Sequence, residues 1–130
     1  MGVRFPGSGN NTLVAASVVT TAETIVLTSS PLSLAIDFEQ VLIFWWLSIT
    51  TAASTTGIKW LLRRGAAVAS TLINVNVTEA IAASTLVTRG GVYVDTPGAV
   101  AGVQYSLTVT CVAAAANATV NDGCIAVVGL

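Results

Sequence analysis

The amino-acid sequence predicts an all-β protein. The expected form is a two-sheet antiparallel sandwich, with jelly-roll strand order the commonest solution at this length and an immunoglobulin-like order the alternative. Three observations carry this. Roughly eight or nine short runs rich in Val, Ile, Thr and aromatic residues are separated by turn signals about 8 to 15 residues apart. No stretch holds a convincing helical period, and no internal repeat points to a solenoid or propeller. At 130 residues the chain is one domain, large enough for a core that does not depend on disulfides. The expected division is an extended N-terminal arm, residues 1–12, followed by a sandwich domain, residues 13–130.

Residues 1–12 are rich in Gly and Asn and cannot bury themselves. They read as an arm, either loose or laid on a partner, with Arg4, Phe5 and Pro6 as its anchor. Residues 13–20 and Thr24–Thr28 read as the first strands. After Pro31, Leu32, Leu34 and Ile36 alternate with small residues as a short strand or edge. Residues 41–50 (VLIFWWLSIT) and 58–64 (IKWLLRR) hold all three tryptophans and are expected to pair as a hairpin. Residues 71–78 alternate with one wet face, and residues 79–83 form a loop or a single helical turn. Residues 84–88 and 91–95 are two strands or one bulged strand, with Arg89-Gly90-Gly91 supplying the positive-φ residues a bulge or turn wants. A Pro-Gly turn lies in residues 96–102. In residues 104–112, Tyr105, Leu107, Val109 and Cys111 face inward, while Ser106, Thr108 and Thr110 face outward. Residues 123–130 form a terminal strand buried on both sides.

Hydrophobic residues make up 54% of the chain and charged residues 8%, with a net charge of −1. Ordinary soluble domains carry about 25% charged residues, so this surface is built from Thr, Ser, Asn, Ala and Gly. Such a surface suits a particle component whose faces are covered by neighbours. There is no basic patch, so nucleic-acid binding has no electrostatic footprint. The longest apolar run, residues 41–47, is too short for a membrane-spanning helix, which needs about 20 residues. The aromatics are too clustered for the girdles of a membrane barrel. Nor does the N-terminal stretch have the apolar centre of a secretory signal.

The absence of histidine excludes His-based triads, acid–base pairs and metal sites. The six carboxylates are scattered, and Asp37 with Glu39 is the nearest approach to a pair. No catalytic residue and no cofactor is expected. Asn76-Val77-Thr78 and Asn117-Ala118-Thr119 match the glycosylation pattern but lack a secretory context. Cys111 and Cys124 read as two buried thiols, or as a disulfide across the last connection. Arg63 and Arg64 must point to opposite faces, and one of them needs a carboxylate such as Asp37, Glu39 or Asp95.

In the 41–50 strand, Val41, Ile43, Trp45, Leu47 and Ile49 share one face, and Leu42, Phe44 and Trp46 lie on the other. An antiparallel sheet in a monomer keeps one face in water, so the second set needs cover. Burying those three side chains removes roughly 400 Å², worth about 10 kcal/mol as an upper bound. The expectation is an oligomer interface formed by Leu42, Phe44 and Trp46 with Trp60 and Arg63 from the next strand. A strand buried inside its own domain is the alternative.

The succession ITTAASTTGIKWLLRRG, TLINVNVT and VDTPGAVAGVQYSLTV resembles small jelly-roll structural proteins of tailed bacteriophages, of the capsid-decoration or head-fibre type. Asp95, Thr96, Pro97, Gly98, Ala101, Gly102, Tyr105, Leu107 and Val109 carry the last segment, and the likeness covers about residues 24 to 130. The resemblance implies a tumour-necrosis-factor-like (TNF-like) sandwich, a homotrimer and no catalytic residues. It leads to a trimeric decoration protein, made in the host cytoplasm and placed on the capsid surface of the virion. There it would stabilise the shell by bridging the major capsid protein, docking through the arm at Arg4, Phe5 and Pro6. The alternative is a phage adhesin or carbohydrate-binding jelly roll, for which Tyr93 with Asp95 is the candidate sugar contact.

Overall fold

A computed structural model describes residues 8–12, 17–34, 40–52, 56–75, 79–98, 100–112 and 117–130. In chain order the strands are β1 (Ser8–Thr12), β2 (Ser17–Val19), β3 (Thr24–Thr28) and β4 (Leu32–Leu34). Then come β5 (Val41–Thr51), β6 (Thr56–Arg64), β7 (Thr71–Val75) and β8 (Glu79–Ile81). The last four are β9 (Leu86–Asp95), β10 (Val100–Val103), β11 (Tyr105–Cys111) and β12 (Ala118–Gly129).

These strands make two antiparallel sheets facing each other. The first has the order β1-β12-β5-β9, with β2 also on β12; the second has β3-β11-β6-β7, with β8 also on β6. A small β4-β10 pair stands apart from both. Successive lengths of β12 pair with β1 and β2, and successive lengths of β6 with β7 and β8. Counting each broken strand once gives eight rows in chain order, with rows 1-8-3-6 in one sheet and 2-7-4-5 in the other, a jelly roll.

Period-two burial explains why these strands take these places. Along β5 the pattern alternates without interruption, and Val41, Ile43, Trp45, Leu47 and Ile49 are buried. Ile58, Trp60 and Leu62 of β6 face them from the other sheet, with Tyr105, Leu107, Val109 and Cys111 of β11 alongside. The Trp45 and Trp60 rings stack across this core with centroids 5.9 Å apart.

The expected hairpin between the two tryptophan-bearing strands does not form. β5 pairs with β12 and β9, whereas β6 pairs with β11, β7 and β8. Each strand has a fully apolar inward row, and facing across the sandwich buries both rows at once, which lying side by side would not.

The Gly90-Gly91 pair is also not a bulge or a turn. β9 runs unbroken in register with β5 from Leu86 to Asp95. Gly91 lies opposite Trp45, and a Cβ there would come within 2.8 Å of the indole Nε1, so glycine makes room for the ring. Residues 79–81, expected as a loop or helical turn, form the short strand β8. Ser8–Thr12 of the expected arm pairs with β12, from Ser8 opposite Val128 to Thr12 opposite Cys124. Arg4, Phe5 and Pro6 lie outside the described residues.

Candidate assembly face

The outward side of the first sheet is built from the residues that alternate with the core rows. Register places Leu42 between Val128 and Val94, Phe44 between Ala126 and Val92, and Trp46 between Cys124 and Gly90. Three strands therefore present a three-by-three grid in which Gly90 is the one position without an apolar or thiol side chain. Phe44 is 41% and Trp46 40% exposed, and Val92 and Val94 are more open still. Where Gly90 and Gly91 lack side chains, the grid dips into a groove of about 400 Å³ walled by Phe44, Trp46, Val92, Cys124 and Ala126. Further along the strands the face turns polar, with Ser48 opposite Asp122 and Thr88, and Thr50 accepting a 2.7 Å hydrogen bond from Asn121.

The outward side of the second sheet is different. Ser106 and Thr108 point away from the apolar core yet are fully buried. Arg63 and Glu23 close over this side. Arg63 Nε and Nη2 donate to the two Glu23 oxygens at 2.6 and 2.9 Å, and Nη1 donates to the Ser70 carbonyl at 2.7 Å. Thr108 Oγ1 donates to Glu23 at 2.5 Å and Ser106 Oγ to the Gly65 carbonyl at 2.6 Å. The Arg63 hydrogen bond, with that of Thr108, outweighs partial burial and holds the Glu23 carboxyl below its ordinary range.

Two ion pairs join the sheets along β9. Asp95 is 5% exposed and accepts from Arg64 Nη2 at 2.5 Å, Arg64 Nε at 2.7 Å and the Tyr105 hydroxyl at 2.8 Å. Burial alone would raise the Asp95 pKa, but these donors outweigh it and the carboxyl sits below its usual range. Burial and the same carboxylate push the Tyr105 hydroxyl well up. Arg89 meets Glu79 of β8 nearer the surface.

The expected interface residues thus fall in three places. Leu42, Phe44 and Trp46 share the open grid. Trp60 is 3% exposed and stacked in the core, because the strand carrying it belongs to the opposite sheet. Arg63 lies on the outward side of that opposite sheet, held by Glu23.

Arg64, not Arg63, takes the Asp95 partner that the sequence suggested. Cys111 is buried with its Sγ 3.6 Å from the Val19 carbonyl, whereas Cys124 is half-buried on the outward grid. The two therefore lie in different sheets and are not bonded to each other, and Cys124 is not the core thiol expected. Tyr93 is half-buried against the core, and the Asp95 carboxylate is taken up by Arg64 and Tyr105 rather than offered to a sugar. Sequence reasoning missed Val92 and Val94. Their alternation with Val87, Arg89 and Tyr93 was the available signal, obscured by reading Gly90-Gly91 as a break.

No family model matches the chain, and no curated protein matches it. Solved structures do. The chain matches infectious bursal disease virus, Gx strain, with a TM-score of 0.62 at 11% identity, over 94% of this chain and 31% of that one. It matches the VP2 subviral particle of infectious bursal disease virus with a TM-score of 0.56 at 10% identity, over 94% and 32%. A third likeness is to Eiger TNF from S. frugiperda, TM-score 0.58 at 13% identity, covering 98% of this chain and 94% of that one. The chain spans about a third of the length of the viral chains it matches and nearly all of the TNF chain. What is shared at these identities is the fold, an all-β jelly-roll sandwich.

Proposed function

We propose that the chain is a structural protein of a virus particle. It assembles as a homotrimer through the open face of the first sheet and sits on the outer capsid surface as a decoration protein. One observation carries the reading: the apolar grid around Phe44 and Trp46 stands in solvent on a chain with 8% charged residues.

With aromatic side chains burying about 150–250 Å² each, the open two-fifths of Phe44 and Trp46 leave roughly 150–200 Å² to cover. That is about 4 to 5 kcal/mol at about 25 cal/mol per Å², less than the sequence alone suggested because neighbours on the same sheet already shield over half of each ring. Val92 and Val94 add to it. A specific interface buries about 800 Å² per partner, so the grid is its dry centre and Ser48, Thr50, Thr88 and Asn121 its polar border. The likeness to chains of infectious bursal disease virus particles supports the virion setting. The trimer rests on the phage-protein resemblance, and docking on the major capsid protein through Arg4, Phe5 and Pro6 rests on a Gly- and Asn-rich N-terminal stretch that cannot bury itself.

At concentrations low enough that only the grid associates, light scattering on the purified protein is expected to give three copies of the 13.2 kDa chain, and Trp46→Ser one copy. A wild-type monomer removes the reading. Added to particles that lack it, the protein is expected to raise the temperature at which the shells break. Deleting residues 1–7, which leaves β1 in place, is expected to abolish that binding. The adhesin reading gains nothing from Tyr93 and Asp95, and the groove walls offer a sugar few polar partners.

A further inference from the structure

The last strand of the first sheet carries a second surface, separate from the grid. β9 is an edge, and among the described residues no strand pairs with its outer side. Natural edges are blunted by proline, charged side chains, bulges or short length. β9 is 10 residues long and has no bulge and no proline. Its one mid-strand charge, Arg89, is tied back to Glu79 and to the Thr88 carbonyl at 2.9 Å, which keeps a second lone pair for a partner strand.

Two hydrogen bonds fix which of its backbone groups face outward. Thr51 N donates to Thr85 O toward β9, and Ala52 N donates to Asn117 O toward β12. In an antiparallel ladder both groups of one residue point the same way and successive residues alternate. Continued along the unbroken register, Val87, Arg89, Gly91, Tyr93 and Asp95 bond to β5. Leu86, Thr88, Gly90, Val92 and Val94 therefore turn their N–H and C=O groups to the open edge.

We propose that β9 pairs with β9 of a second copy, antiparallel about a two-fold axis at Gly90, extending the first sheet across two chains. Only registers that bring the outward-turned residues opposite one another make hydrogen bonds, and among these the sequence selects. Centring on Arg89 sets the two arginines directly opposite, which like charge disfavours. Centring on Gly91 places Gly90 against Val92 and leaves Leu86 without a partner within the strand. Centring on Gly90 sets Leu86 against Val94 and Thr88 against Val92 on the outward side. It sets Val87 against Tyr93 and Arg89 against Gly91 on the inward side. Apolar thus meets apolar, and each arginine faces a glycine while keeping its own Glu79. The pairing also joins the two apolar grids edge to edge into one surface. It stands whether or not the virion reading holds.

Residue-resolved hydrogen exchange on the full chain tests this. In the pairing state the amides of Thr88, Gly90 and Val92 are expected to exchange as slowly as those of Arg89, Gly91 and Tyr93. Their protection is expected to rise with protein concentration. Thr88→Pro removes only an outward N–H, a substitution that edge strands accept. It is expected to return Gly90 and Val92 to fast exchange and lower the mass, while Phe44→Ser with Trp46→Ser leaves their protection intact and so separates this edge from the grid. Exchange at Thr88, Gly90 and Val92 about tenfold or more faster than at their neighbours at every concentration overturns the proposal. Protection that does not change with concentration overturns it as well.

Discussion

The outward sides of the two sheets face the same solvent and solve opposite problems. On the second sheet Ser106 and Thr108 are buried and their hydroxyls meet acceptors from the same chain, with Arg63 and Glu23 as the cover. On the first sheet Phe44, Trp46, Val92 and Val94 are apolar and open. Polar groups can be satisfied by a few well-placed atoms within one chain. An apolar grid can be satisfied only by area, and no described segment lies over it. The difference separates two kinds of stability: the second sheet and the buried Asp95 ion pair on β9 hold the subunit together, and the grid is left for whatever the subunit joins.

That division can be broken first at the clasp between the sheets. Asp95→Ala leaves Arg64 and Tyr105 without their acceptor in a largely buried site, and is expected to cost about 3 kcal/mol of folding stability in chemical denaturation. A cost near zero would mean the clasp is not the inter-sheet tie it is taken for. Glu23→Ala strikes the polar cover, stranding the Thr108 hydroxyl and part of Arg63. About 1–2 kcal/mol is expected, with the oligomer unchanged. Loss of the oligomer on this change would place the interface on the wrong sheet.

Trp46→Ser sharpens the comparison from the other side. Subunit stability measured at low concentration should fall by about 2 kcal/mol, the cost of the part of Trp46 that its own sheet covers, while association through the grid is lost.

Acid should act on the subunit only. Asp95 and Glu23 both have lowered folded-state pKa values, so their stabilisation is complete above the ordinary carboxylate range near about 4 and is lost as pH falls through the folded values. The melting temperature should be level through neutral pH and fall below about pH 4, less steeply in Asp95→Asn. The smallest effect is expected from Arg89→Gln, whose exposed pair with Glu79 should leave the melting temperature unchanged.

Much of this was legible in the chain. The alternation of β5 and β11 announced strands, and the run Leu42, Phe44, Trp46 announced a face needing cover, because a period of two assigns side chains to faces without any knowledge of topology. Which strands share a sheet was not legible. Trp45 and Trp60 attract whether their strands lie side by side or face each other, so adjacency in sequence was misread as adjacency in a hairpin. The same ambiguity put Arg63 and Trp60 beside Phe44, when one crosses to the opposite sheet's outward side and the other to the core. At Gly90-Gly91 local conformational freedom argued for a break. Only the position of the Trp45 indole reveals that the glycines are there for space.

Cys124 offers the most direct measurement, since it sits on the grid beside Trp46 while Cys111 is sealed in the core as an internal control. If copies of the chain cover this face, alkylation of Cys124 in the native protein should slow as protein concentration rises and speed up in Trp46→Ser. A Cys124 rate that is the same at every concentration, in both proteins, would contradict it.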